Sequence, residues 1–288
     1  MEPVGRTKLW SFLSTSSKIE VVTNGGVRTD PGHFVDKYRT LARQVAELQW
    51  RNRGHVMLFR GQSGDYLSPK SFTTMRPTIF RPPNGKSTLA KTLVEKRFAA
   101  LDEADAALSD GFEKLRRTGR RQVARERLLR WSILQHYEVC PTPLLDVSQS
   151  LRIAASFASL GNPDEAYLYV VAVPNISGAI TAHAESGLQI VRLSSVCPPS
   201  AMRPHIQEGF LLGEYPEMIG VAQARHYKHY EMDFGRRIIA KFRFNPSTFW
   251  SSDKDFPVVP RAALYPNTTD WLESLTTEIK NKAGLILA

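Results

Sequence analysis

The chain has 288 residues, 42% hydrophobic and 23% charged, which is ordinary globular material with enough apolar content for one elaborated domain. No run of about 18 apolar residues is present to cross a membrane, no apolar segment of a secretory signal precedes the first charges, and Cys140 and Cys197 are too few for a disulfide scaffold or a four-ligand zinc site, so a reducing, cytoplasmic setting is expected. The formal net charge of +10 is clustered, and clustered cations attract polyanions.

In chain order, residues 18–23 read as a short strand closed by Asn24-Gly25-Gly26, a hairpin-type turn. Asp30-Pro31 reads as a helix start, and Phe34, Tyr38, Leu41, Val45 and Leu48 repeat at helical spacing to about Trp50. A strand over His55–Phe59 then delivers Arg60 at its C-terminal end. Residues 61–87 are irregular. Within them Pro82-Pro83-Asn84-Gly85-Lys86-Ser87-Thr88 imitates the tail of a phosphate-binding loop, but Phe80 stands where the first glycine belongs, and Ser87 reads as a helix cap. Helices are expected from about Thr88 to Leu108 and from about Gly119 to His136, the second with Val123, Leu128, Trp131 and Leu134 inward.

The most informative stretch is 135–158. A polar and aromatic cluster runs into a short apolar strand, Pro143 to Leu145. The strand ends on Asp146 and Ser148, and a small-residue helix from Ser150 to Leu160 follows at once, with Gly161 as its stop. Polar side chains at a strand end, aimed at a helix N-terminus, are a common way to build a phosphate or nucleotide site. Strands are expected at Ala166–Val173, Gln189–Leu193, Gly209–Leu212 and Arg236–Phe244. Tyr265–Asn267 reads as a loop, and Thr268 or Thr269 as the cap of a last helix ending near Lys282. Helices come early and strands late, which predicts an α+β fold.

Two basic features stand out. Between Phe112 and Arg130 there are eight basic residues, Lys114, Arg116, Arg117, Arg120, Arg121, Arg125, Arg127 and Arg130, against Glu113 and Glu126. In Arg236–Phe244, Ile238, Ala240, Phe242 and Phe244 take one strand face, and Arg237, Lys241 and Arg243 take the other. Together they outline a nucleic-acid surface, although a charge run also serves as a plain solvated face.

Ser148, His136 and Asp146 make a hydrolase triad on paper, but no Gly-x-Ser-x-Gly elbow surrounds a serine. His226-x-x-His229 lacks a third ligand in helical register, so no metal is expected.

Leu58-Phe59-Arg60-Gly61-Gln62, Gln135-His136-Tyr137, Pro141-Thr142-Pro143-Leu144-Leu145-Asp146-Val147-Ser148, the helix Ala154-Ala155-Ser156-Phe157-Ala158, and Ile206-Gln207-Glu208-Gly209-Phe210 resemble, in order, the motifs of the FRG domain. That family reads Phe-Arg-Gly-Gln, then Gln-His-Tyr-Gly-x-Pro-Thr-Arg-Leu-Leu-Asp-Trp-Thr/Ser, then Gln-x-Gly-x-Phe. This chain departs from it at Glu138 for Gly, Pro143 for Arg and Val147 for Trp. The resemblance implies one domain over 1–288, with a core at about 34–245 and a C-terminal helical extension at about 246–288.

FRG domains are in turn similar to the ADP-ribosyltransferase fold, a split β-sandwich that binds NAD in a cleft; here it would carry N-terminal and inserted helices. The resemblance implies a mono-ADP-ribosyltransferase, a toxin or defence effector, with nucleic acid (RNA favoured) or protein as acceptor and an antitoxin as a further partner. Arg60 would hold pyrophosphate. Gln62, His136, Tyr137, Asp146 and Ser148 would line the NAD site. Glu208 or Gln207 would stabilise positive charge at the ribose, with Glu214 and Glu217 as competitors. The alternatives are a nucleotide- or nucleic-acid-binding module without turnover and an NAD glycohydrolase. Blander uses exist too: Arg60 in an ion pair with Asp146, Asp146 as a helix cap, Tyr137 and His136 as core.

Overall fold

The computed structural model describes residues 1–4, 8–83, 86, 88–162, 164–198, 201–225, 232–252, 255–266 and 271–287. The chain opens with a two-stranded antiparallel ribbon, β1 (Leu9–Ser11) and β2 (Glu20–Val22). Helix α1 (Asn24–Thr29) replaces the expected hairpin turn. Thr23 Oγ1 accepts from Gly26 N at 3.2 Å and caps it, and the buried Asn24 amide donates to the carbonyls of Gly235 and Ile238. The helix expected from Asp30 starts later. Asp30 spends its carboxylate on Ser14 and Gly32, Phe34 enters β3 (His33–Phe34), and only then does α2 (Tyr38–Arg51) begin.

Strand β4 (Val56–Gln62) carries Arg60 inside the strand and not at its end. Three helices follow the irregular segment: α3 (Lys91–Lys114), α4 (Arg120–Arg125) and α5 (Arg127–His136). The expected single helix from Gly119 is broken because Glu126 adopts an extended backbone, φ −104° and ψ 97°. Next come β5 (Leu145–Ser148) and α6 (Leu151–Ala158), capped by Ser150. The chain continues through β6 (Ala166–Val173), β7 (Ile180–His183) and β8 (Leu188–Arg192). Then follow α7 (Leu193–Val196), α8 (Met202–Ile206), β9 (Gly209–Glu214) and β10 (Ile238–Phe244). Helices α9 (Pro246–Ser251), α10 (Arg261–Leu264) and α11 (Trp271–Leu287) end it. The caps expected at Ser87 and at Thr268 or Thr269, Asn267 of the expected loop, and the His226/His229 pair lie outside the described residues.

The fold is α+β around one open eight-stranded sheet, ordered β3-β10-β6-β4-β5-β9-β8-β7. Neighbours are antiparallel except β3 and β10. Its middle is thin. Strand β4 pairs with β6 along its whole length but meets β5 through one pair, Phe59 with Ser148. The sheet divides two cores. Ile190, Phe210 and Leu212 face a core shared with α2 and β6, while Val191 and Leu211 face one built by α3, α5 and α11. Alternation along β8 and β9 places these side chains. Helix α11 belongs to the second core: Trp271 stands edge-on to Phe112 at 5.2 Å.

The basic face expected on the last strand is not a surface. Strand β10 lies inside the sheet, and α1 and the segment before Met75 cover its second face. Lys241 is 2% exposed, its Nζ 2.7 Å from Asp65 Oδ2 and 2.8 Å from Thr73 Oγ1. Arg237 is buried and donates to the carbonyl of Ala172 at 2.8 Å. Arg243, partly exposed, donates to the Gly32 carbonyl and stands 3.6 Å from Glu165. A charge buried this way needs partners, and these cations spend theirs inside the fold. No described helix is long and apolar enough to cross a membrane.

Candidate functional site

A cleft of about 470 Å³ opens where β4 and β5 part. The motif residues make its floor because two glycines let their neighbours approach closely there. Gly61 lies against α6, where a side chain would collide with the Ala154 carbonyl. Gly209 lies against Leu193 and the His136 ring. Tyr137 ends α5, and the chain then reverses through Glu138, whose φ of 56° is left-handed. Glycine adopts that conformation freely, whereas Glu138 carries a Cβ there.

Arg60 is the central cation. Its Nη1 donates to the Asp146 carbonyl, while its Nε is buried without a hydrogen-bond partner. Burial, then repulsion from Arg81, pull its pKa down to about 10, so it stays charged at neutral pH. The Asp146 carboxylate accepts from Gln135 Nε2 at 2.6 Å and faces His136 Nδ1 at 3.3 Å. Burial raises its pKa, but His136, Gln135 and Arg60 outweigh that, and the carboxyl sits below its usual value. The expected Arg60–Asp146 ion pair is not formed: Arg60 reaches the Asp146 backbone carbonyl, and its charge acts on the carboxyl without a direct contact. Helix capping by Asp146 is not seen; Ser150 caps α6.

Of the other expected residues, Gln62, His136, Ser148 and Gln207 line the cleft. Gln62 Oε1 and His136 Nε2 are buried and have no hydrogen-bond partner. Ser148 is committed: its hydroxyl donates to the Gln207 carbonyl at 2.8 Å and accepts from Ser150 N at 3.0 Å. It makes no bond to His136, so the paper triad is not assembled. Tyr137 is 3% exposed and does not line the cleft; its ring packs edge-on to His136 at 5.8 Å. Gln207 donates to the Leu264 carbonyl at 2.8 Å.

Glu208 is not brought to the site. It is exposed, at φ 46°, and only its backbone joins the motif by accepting from Gln149 N. The turn that aims Gln207 inward points the next side chain out. Glu214 is buried at the far end of β9 beside the Met1 amine, and Glu217 lies outside the cleft lining. The acidic lining is Glu138 and Asp146, set against Arg60, Arg81, Arg203 and Arg261.

Arg81, Tyr66, Arg203, Arg261 and Tyr265 were not singled out by sequence. They come from loops and short helices, where no periodicity marks an inward side chain. A second cavity of about 470 Å³ adjoins the first and shares Arg60, Arg81, Glu138 and Asp146 with it. The described residues include no group of His, Cys, Asp and Glu able to hold a metal.

The basic run of the inserted helices is a surface. Arg116, Arg117, Arg121 and Arg125 are exposed, and Arg117 lies over the Trp271 ring at 4.7 Å. Arg120 is half-buried, 3.9 Å from Glu113, and Arg130 is tied to Asp105 at 2.8 Å. Helix α5, roughly 15 Å long, runs from just after the end of α4 to His136 in the cleft.

No curated protein and no solved structure matches the chain. The family model described as the FRG domain matches residues 55–166, which run from the start of β4 to the start of β6 and include Arg60, Gly61, His136, Glu138, Asp146 and Ser148. Over residues 55–166 the chain is similar to the FRG domain.

Proposed function

We propose that the cleft binds NAD and that the chain is an ADP-ribosyltransferase, its β4–β5 seam corresponding to the division in that fold's split sandwich. One observation carries the reading: Arg60 sits at the seam with its Nε unpartnered, beside Gln62 Oε1 and His136 Nε2, which lack partners too. Buried polar atoms are normally satisfied, so a group of orphans lining one cavity marks where a polar ligand supplies the missing bonds. Arg60 and Arg81 take the pyrophosphate, since a guanidinium fork binds phosphate oxygens in pairs. Gln62, His136 and Gln207 hold ribose and nicotinamide. Positive charge grows on the ribose as the bond to nicotinamide breaks. The Asp146 and Glu138 carboxylates are the anions that answer it. Nicotinamide leaves with the bonding pair, and the acceptor supplies a lone pair to the anomeric carbon and gives up its proton. The exposed basic patch on α4 draws a nucleic-acid acceptor, RNA by preference, which fits a toxin or defence effector.

A second reading has its own support. Gln207 is neutral and Glu208 lies outside the cleft, as expected of a nucleotide-binding module without turnover. NAD labelled in its adenylate half, incubated with the protein and cell lysate, separates the readings. Label in RNA, DNA or protein means transfer. Label in free ADP-ribose means hydrolysis, and label left in intact NAD means the binding module. Arg60→Ala should abolish both binding and turnover; turnover that persists in that variant overturns the assignment.

A further inference from the structure

The rim of the cleft is built by residues beyond the FRG match. Arg203 on α8 lies 4.6 Å over the Tyr265 ring and 5.5 Å from the Tyr137 ring. Arg261 on α10 lies 5.0 Å over the same Tyr265 ring. Phe157 braces that ring edge-on at 5.8 Å. Tyr265 is thus a post that holds two guanidinium groups at the cleft mouth. Its position is fixed from below: Gln207 Nε2 donates to the Leu264 carbonyl, and Leu264 packs with Ile153 and Val259.

Arg203 is 7% exposed and lines the cleft, and its Nε is buried without a hydrogen-bond partner. Its other nitrogens are 2.9 Å from Glu138 and 3.9 Å from Glu273. Arg261 is exposed. Cation–π contacts hold an arginine in place without consuming its N–H donors. Arg261 is therefore positioned with its donors uncommitted, while Arg203, both ends of its fork facing carboxylates, keeps only its buried Nε; the two stand on α8 and α10, elements other than those that carry Arg60 and Arg81.

We propose that Arg203 and Arg261, mounted on Tyr265, form a second anion site that takes a phosphate group distinct from the pyrophosphate. The inference rests on the reading of the floor as the pyrophosphate site. The second phosphate comes either from the nucleotide itself, as the 2′-phosphate of NADP, or from the backbone of a nucleic-acid acceptor. Both present phosphate oxygens to the same donors.

Calorimetric titration of NAD, NADP and a short 5′-phosphorylated oligoribonucleotide into wild type, Arg60→Ala, Arg261→Ala, Tyr265→Phe and Tyr265→Leu tests it. Arg261 is exposed, so its removal leaves the fold intact, which a thermal melt checks. Arg261→Ala should weaken NADP or the oligonucleotide about tenfold while moving NAD less than about threefold. Tyr265→Leu should do the same and Tyr265→Phe should not, because the ring and not the hydroxyl holds the arginines. Loss confined to NADP names the cofactor's phosphate; loss confined to the oligonucleotide names the acceptor's. If NAD fails to bind but the oligonucleotide binds in an Arg261-dependent way, the floor reading falls and the rim site stands. If Arg261→Ala changes all three ligands alike or none of them, or if none binds wild type, the rim site is overturned.

Discussion

Gly61 faces the backbone carbonyl of Ala154 so closely that a Cβ on Gly61 would stand 1.8 Å from that oxygen and 2.7 Å from Ala158 N. Both obstacles are backbone, so no rotamer relieves them. Gly61→Ala should push α6 off β4 and cost at least about 2 kcal/mol, read as a lower denaturant midpoint or as insoluble protein. A variant as stable as wild type would show that β4 and α6 do not touch.

Glu138 holds a left-handed backbone at φ 56° and contacts Arg203 at 2.9 Å. Replacing it separates the two effects. Glu138→Ala and Glu138→Gly both lose the contact, but only glycine relieves the strain. The glycine variant should be more stable than the alanine variant by about 1 kcal/mol in equilibrium unfolding. Equal stability would mean that the turn is not left-handed in solution.

Asp146 gives the acid dependence. Its folded pKa lies below the unfolded value of about 3.9. Its contribution to stability is therefore complete above about pH 4 and is lost as pH falls through the folded value. Denaturant midpoints measured from neutral pH down to about pH 3 should fall more steeply for wild type than for Asp146→Asn. Parallel curves would show that the carboxylate gains nothing from His136, Gln135 and Arg60.

Arg116, Arg121 and Arg125 are exposed on the inserted helices. If single-stranded RNA docks there, the triple alanine variant should lower the slope of log K against log salt by roughly 0.7 per lost contact. An unchanged slope would leave the run as a solvated helix face.

Much of the site was legible because motif residues carry it. Arg60, Gln62, His136, Asp146, Ser148 and Gln207 all line the cleft, and strand β6 falls on the residues its apolar run marks. Glu208 was misplaced because the choice between neighbours in Gln207-Glu208 depends on one turn, and φ 46° at Glu208 is invisible to side-chain pattern. Lys241 was misplaced because alternation on β10 marks two faces but not what covers the second one, and Arg237 because the strand begins only after it, at Ile238. Asn24-Gly25-Gly26 has hairpin composition, yet Thr23 caps a helix there and Asn24 is anchored to the carbonyls of Gly235 and Ile238, 211 and 214 residues further on. The rim arginines stayed hidden because α8 and α10 are too short for a periodic pattern to mark the side that meets Tyr265.

The lone pair Phe59–Ser148 makes the sheet two ladders fastened by a single rivet. Either ladder can keep its own hydrogen bonds while the pair between them loosens. A molecule lodged between Arg60 and Gln207 touches both ladders and acts as a second fastening. Occupancy would then register far from the cleft, as slower amide exchange along β4 and β9 together, and melting would rise with ligand concentration as one cooperative event.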